Sequence, residues 1–147
     1  MEKLIVAGKW SDQAIEQGSV FFNDFYYKIK DADIDWEGLN RFLLDKRGFL
    51  LRLLENPSVL EHESFTDLLR AVFHLTEELG ARETLADLSA PDRRHLEGDM
   101  RRFYMGLCEQ WLDYMNYLEK NYPYLFSLAI RTIPFNKNAS PVLKDAT

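Results

Sequence analysis

Two of the three histidines in this 147-residue chain stand four residues before an acid: His74 precedes Glu78, and His95 precedes Asp99. On an α-helix that spacing sets both side chains on one face, a turn apart. In His95–Asp99 the spacing could hold a metal ion, whereas His74–Glu78, like Arg70–His74, is the usual furniture of a solvated helix back. The stretch EHESFTDLLRAVFHLTEEL, residues 61–79, also holds the third histidine, His62, and so concentrates the chemistry. The usual zinc helix, HExxH, places two histidines one turn apart and takes a third ligand from elsewhere. A di-iron bundle uses Glu-x-x-His on two helices, but Val59, Ala71 and Asp92 occupy the positions three before the histidines here. On these grounds His74 is expected on a charged helix back with Asp67, Arg70 and Glu78. His95–Asp99 is expected as a surface polar pair, and His62 in the entry turn. The expectation is no metal ligand, no cofactor and no catalytic residue.

Nucleophilic chemistry has as little support. The lone cysteine, Cys108, has no histidine at helical spacing, and neither a Gly-x-Ser-x-Gly elbow nor a glycine-rich phosphate loop occurs. A net charge of -6 and a pI near 5.1 repel phosphate and argue against nucleic acid. One cysteine permits no intrachain disulfide, which fits a reducing compartment. The opening MEKLIVAGKW has too short an apolar run for a signal peptide, and no stretch has the roughly 18 apolar residues of a membrane span. The expected location is cytoplasmic.

The elements that position these residues read as helices throughout. Phe21, Phe22, Phe25, Tyr26 and Ile29 recur at helical spacing and predict a helix over about 11–30. A second is expected over 35–55, closed by Asn56-Pro57, and a third over 63–79 with Gly80 as a left-handed stop. A fourth opens at Ser89-Ala90-Pro91-Asp92 and runs to about 121, followed by a short helix in YPYLFSLAIRTI. The fold class is all-α: an antiparallel bundle of four long helices plus a short C-terminal helix. It forms one domain over 1–135, with 136–147 as a mobile tail.

The third helix directs Phe65, Leu68, Leu69, Val72, Leu75 and Leu79 to one side. The fourth directs Leu96, Met100, Phe103, Tyr104, Leu107, Trp111, Tyr114, Met115 and Leu118 to another, so it is the expected spine of the core. It carries a second stripe on its far side, Met105, Cys108 and Leu112, and the second helix has Leu44 and Leu51 off its main face. These five are the candidate interface for a second copy or another protein. Within the monomer, the short C-terminal helix or the N-terminal segment would instead cover them. Arg93, Arg94, Arg101 and Arg102 gather in the first third of the fourth helix, where salt bridges to nearby acids are their expected use.

The stretches LLENPSVLEHESFTDLLRAVFHLTEEL and DRRHLEGDMRRFYMGLCEQWLDYMNYLEKNYPYLFSLAIRTIPF resemble the cytosolic helical region of prokaryotic potassium-channel-like proteins with a two-transmembrane pore. The resemblance covers about residues 40–136. It implies an accessory helical module and association with a membrane protein. Ion conduction is not implied, because the chain has no Thr-Val-Gly-Tyr-Gly filter. The sequence thus points to a non-enzymatic interaction or regulatory module, a homo-oligomer or the partner of another protein. The alternative is a small-molecule- or metal-binding bundle, or an enzyme built on one, suggested by His95–Asp99 and by clustered tyrosines.

Overall fold

In the computed structural model, which describes residues 34–134 and 138–143, the first helix, α1 (Trp36–Leu54), starts at a side-chain cap. The Asp35 carboxylate accepts a hydrogen bond from the Gly38 amide at 2.9 Å. A β-carbon at position 38 would lie 2.3 Å from the other Asp35 oxygen, so the cap needs glycine there. After α1, Asn56 caps Ser58 and Pro57 takes the first position of a single turn, α2 (Pro57–Leu60). The sequence reading had no helix there. The Thr66 hydroxyl donates to the Val59 carbonyl and ties this turn to α3 (Glu63–Gly80).

Gly80 does not form the expected left-handed stop. It is the last residue of α3, and Ala81 continues in right-handed geometry at φ -74° and ψ -12°. The helix end is satisfied differently: the Arg82 guanidinium donates to the Glu78 carbonyl, so an arginine covers a carbonyl that a glycine turn would otherwise serve. After a loop, Ser89 caps Asp92 and α4 (Ala90–Asn121) begins. Tyr122 separates it from α5 (Pro123–Arg131), which again opens on proline. Among the described residues four of the five helices lie within one or two residues of their expected limits, α2 being unexpected, and no strand occurs. The all-α fold is as the periodicity requires. The helix expected over 11–30 lies outside the described residues, as does part of the tail. Within the tail, the Ser140 amide donates to the Arg131 carbonyl at 3.0 Å.

The chain divides into two compact units with a boundary between Gln110 and Trp111. In the first, Leu68, Val72, Leu75 and Leu79 of α3 meet Trp36 and Leu43 of α1, Leu85 of the following loop, and Leu96 of α4. Burying each leucine is worth on the order of 2 kcal/mol before entropy is charged. α3 and α4 run antiparallel in this unit. Ser64 bonds Gln110, a β-carbon on Gly106 would touch Leu68, and His74 faces Asp99. In the second unit Met115, Leu118 and Phe126 form a smaller core with Trp111, Ala129 and Ile130 against it.

The far half of α4 follows the expected face only in part: Met115 and Leu118 are buried as expected. Cys108 and Leu112, assigned to the second stripe, are buried, whereas Leu107 and Tyr114 of the supposed main face are exposed. Both sides of this helix are apolar, so periodicity alone cannot say which one faces inward.

Candidate metal centre

The antiparallel register of α3 and α4 does more than align leucines. It brings the two histidine–acid pairs face to face. His74 Nε2 lies 3.3 Å from Asp99 Oδ2 and 3.8 Å from Glu78 Oε1. His95 Nε2 lies 3.4 Å from Glu78 Oε1 and 3.5 Å from Asp99 Oδ2. All four donor atoms fall within 4.8 Å of one another. Donors held roughly 2.0–2.1 Å from a tetrahedral ion stand about 3.3–3.4 Å apart, close to the three shortest separations here.

Burial grades across the cluster. His74 and His95 have side chains 51% and 50% exposed, whereas that of Asp99 is 1% exposed. The Asp99 Oδ2 atom is buried and accepts no hydrogen bond. A buried carboxylate oxygen without a donor is costly unless a cation or a proton serves it. With protonated imidazoles the group would be a network of ion pairs. With neutral imidazoles, four potential ligand atoms gather in one small volume, with the histidines half exposed.

Two arginines hold the acids from behind. Arg102 donates to Asp99 Oδ1, and Arg82 Nη1 donates to Glu78 Oε2 at 3.0 Å. Arg82 also makes a bidentate pair with Asp92 in the first turn of α4, at 2.9 and 2.5 Å. The Arg82 hydrogen bond holds the Glu78 carboxyl below its ordinary range, against the opposing effect of desolvation and with help from His95. The same guanidinium lowers Asp92.

Sequence reasoning placed these residues only in part. His74 is half exposed, as expected of a helix back, yet that back faces α4. Asp99 is not a surface residue. The reading sought a second histidine on the same helix and gave no weight to Glu78 as the second ligand. A detectable signal existed: the same His-x-x-x-acid spacing occurs on two consecutive helices joined by a short loop, a geometry that can align both pairs.

Of the five candidate interface residues, Leu44 and Leu51 are exposed and Met105 is partly buried. Cys108 and Leu112 are buried by the chain itself and so are withdrawn as free contact residues. Burial pushes the Cys108 thiol up to about 11. Of the tyrosines of α4 and the segment after it, Tyr114, Tyr117, Tyr122 and Tyr124 are exposed and Tyr104 is half-buried. Grooves of about 380 and 260 Å³ border the start of α1, and neither is lined by any of the four cluster residues. No described helix is long and apolar enough to cross a membrane.

Comparison with known proteins replaces the channel resemblance. A family model described as the C-terminal helical domain of uncharacterized protein MJ1433 matches residues 1–131. The uncharacterized protein MJ1433 of Methanocaldococcus jannaschii is 42% identical over 142 residues, covering 97% of this chain and 58% of that protein. The chain thus spans a little over half the length of this relative. No solved structure matches it. The likeness to potassium-channel-like proteins rested on core and cap residues, which unrelated helical bundles share because the same packing physics selects them. With that likeness set aside, the family match over nearly the whole chain decides the matter: this protein belongs to the MJ1433 C-terminal helical domain family.

Proposed function

We propose that this chain is a helical module that binds rather than catalyses, and that its ligand is a divalent metal ion held by His74, Glu78, His95 and Asp99. One observation carries the reading. Two pairs from two helices converge four donors within 4.8 Å, and one of them is a buried Asp99 oxygen without a hydrogen-bond donor. Burial raises the Cys108 thiol and keeps it weakly nucleophilic at neutral pH, which speaks against thiol chemistry. The free cysteine also suits a reducing, cytoplasmic setting.

The test is metal uptake by the folded chain. Purified protein stripped with chelator and then titrated with zinc should take up one equivalent per chain, measured by calorimetry and elemental analysis. His95→Ala and Asp99→Asn should each abolish that uptake while the helical circular dichroism persists. A folded chain that takes up no zinc, cobalt or other transition dication would sink the reading and leave an ion-pair network in its place.

Contact with another protein, including a second copy, has a separate observation in its favour. Phe42, Leu44, Phe49 and Leu51 are exposed on α1, which is more apolar surface than one helix ordinarily leaves in water. Sedimentation velocity at high concentration tests it: Phe49→Glu should shift an associating chain toward monomer. A wild-type chain that stays monomeric removes self-association.

A further inference from the structure

Building on the metal-binding reading, we infer that Arg82 and Arg102 are positioning residues that decide which ion the cluster accepts. The argument begins with the oxygens. Each cluster acid has two, and in each case an arginine occupies one while the other turns to the histidines. Glu78 gives Oε2 to Arg82 and Oε1 to the cluster. Asp99 gives Oδ1 to Arg102 and Oδ2 to the cluster. The arrangement repeats on both helices, since Arg82 follows Glu78 by one turn and Arg102 follows Asp99 by three residues.

The consequence is a fixed donor count. A carboxylate held at one oxygen by a guanidinium turns only its other oxygen toward the histidines, so the chain presents two imidazole nitrogens and two single oxygens. Calcium takes about six to eight oxygens and favours bidentate carboxylates, while magnesium demands a near-ideal octahedron of oxygens. A borderline dication such as zinc or cobalt(II) is satisfied by four mixed nitrogen and oxygen donors in a tetrahedron. The arginines therefore disfavour calcium by withholding the bidentate carboxylates it favours, and the two imidazoles favour zinc or cobalt(II) over magnesium.

Charge and geometry act in opposite directions here, which makes the idea testable. A guanidinium beside a dication repels it, so if charge governed, removing an arginine would tighten binding. If orientation governs, removal frees the acid to rotate and chelate, and affinity for zinc falls. Partners behind metal ligands typically matter by about 10–100-fold in affinity. Arg82 is a poor choice for the test, because its Asp92 pair joins the end of α3 to the start of α4 and its loss risks the fold. Arg102 has a side chain 65% exposed, so its variants should fold.

The experiment titrates wild type, Arg102→Ala and Arg102→Lys with zinc and with cobalt(II), reading affinity by calorimetry and geometry by the cobalt absorption spectrum. Circular dichroism serves as the folding control. Wild type should give the intense visible bands of tetrahedral cobalt, undisturbed by excess calcium or magnesium. Arg102→Ala should bind zinc about 10–100-fold more weakly, with a weaker spectrum of higher coordination number. Arg102→Lys, which keeps a donor to Oδ1, should recover most of the affinity and the spectrum. If Arg102→Ala binds as tightly as wild type with the same spectrum, or if calcium displaces cobalt from wild type, the positioning role is overturned and the metal site stands. If wild type binds neither zinc nor cobalt, the metal-binding reading itself fails.

Discussion

Two seams join α3 to its neighbours, and they obey different rules. The apolar seam contains Leu68, Val72, Leu75 and Leu79 against Trp36, Leu43 and Leu96. The polar seam contains His74 and Glu78 against His95 and Asp99. In the first, each residue contributes by leaving water, so its role follows from its own type and its place in the 3.6-residue repeat. In the second, no residue has a role alone. Asp99 is buried to no advantage unless Arg102 and a cation, or a proton, meet it from two sides. An apolar seam can be read one helix at a time. A polar seam needs the pairing.

The largest expected effect lies in the apolar seam. Leu75 is fully buried among the helices, so Leu75→Ala should lower unfolding free energy by about 2–5 kcal/mol. Urea denaturation measures it, and the midpoint should drop with little change in slope. An effect below about 1 kcal/mol would mean that the leucine face is loosely packed and that the contrast between the seams is misdrawn.

The polar seam should respond through its ion. If the cluster binds zinc, free metal at 100 times Kd stabilises the folded chain by about 2.7 kcal/mol. His95→Ala should lose that increment entirely. Thermal melts of both proteins with zinc and with chelator give the four numbers required. A zinc-induced stabilisation retained in His95→Ala would place the ion elsewhere on the chain.

This contrast also explains what the sequence disclosed. The leucine repeat of α3, the Asn56-Pro57 break and the Ser89 cap predicted the helices closely, because each is a local signal with a local cause. The inward face of α4 between Leu107 and Tyr114 was read only in part, because Leu107 and Tyr114 compete with Cys108 and Leu112 and composition does not choose between them. Half of the centre was visible as the His95–Asp99 pair at i,i+4, and the His74–Glu78 pair has the same spacing. Their meeting depends on the length of the 81–89 loop and on the antiparallel register, neither of which is carried by any single residue. Arg82 is the clearest case: it replaces the glycine stop, clamps Asp92 and holds Glu78, three tasks that only the folded hairpin assigns.

The clamp gives a smaller effect, sharpened by pH. Arg82 holds the Asp92 carboxyl below its ordinary value near 3.8, so the folded chain prefers the ionised acid more than the unfolded chain does. That contribution is present in full above the unfolded value and is lost as pH falls through the lower folded value. Asp92→Asn should therefore destabilise the chain at neutral pH and flatten the acid limb of its stability curve. Equal slopes in wild type and variant below pH 4 would show that the pair adds nothing beyond hydrogen bonding.

The smallest effect completes the comparison. His74 is half exposed and sits on the solvent side of the polar seam. In chelator, His74→Ala should change stability by no more than about 0.5 kcal/mol, as surface substitutions usually do. With zinc present it should remove the metal increment, as His95→Ala does. The two measurements on one variant separate the candidate functions of the imidazole. A packing residue costs the same with and without metal, whereas a ligand costs only when the ion is there. A loss of 2 kcal/mol or more in chelator would make His74 part of the core, and the seam would be an ion-pair network holding the helices together.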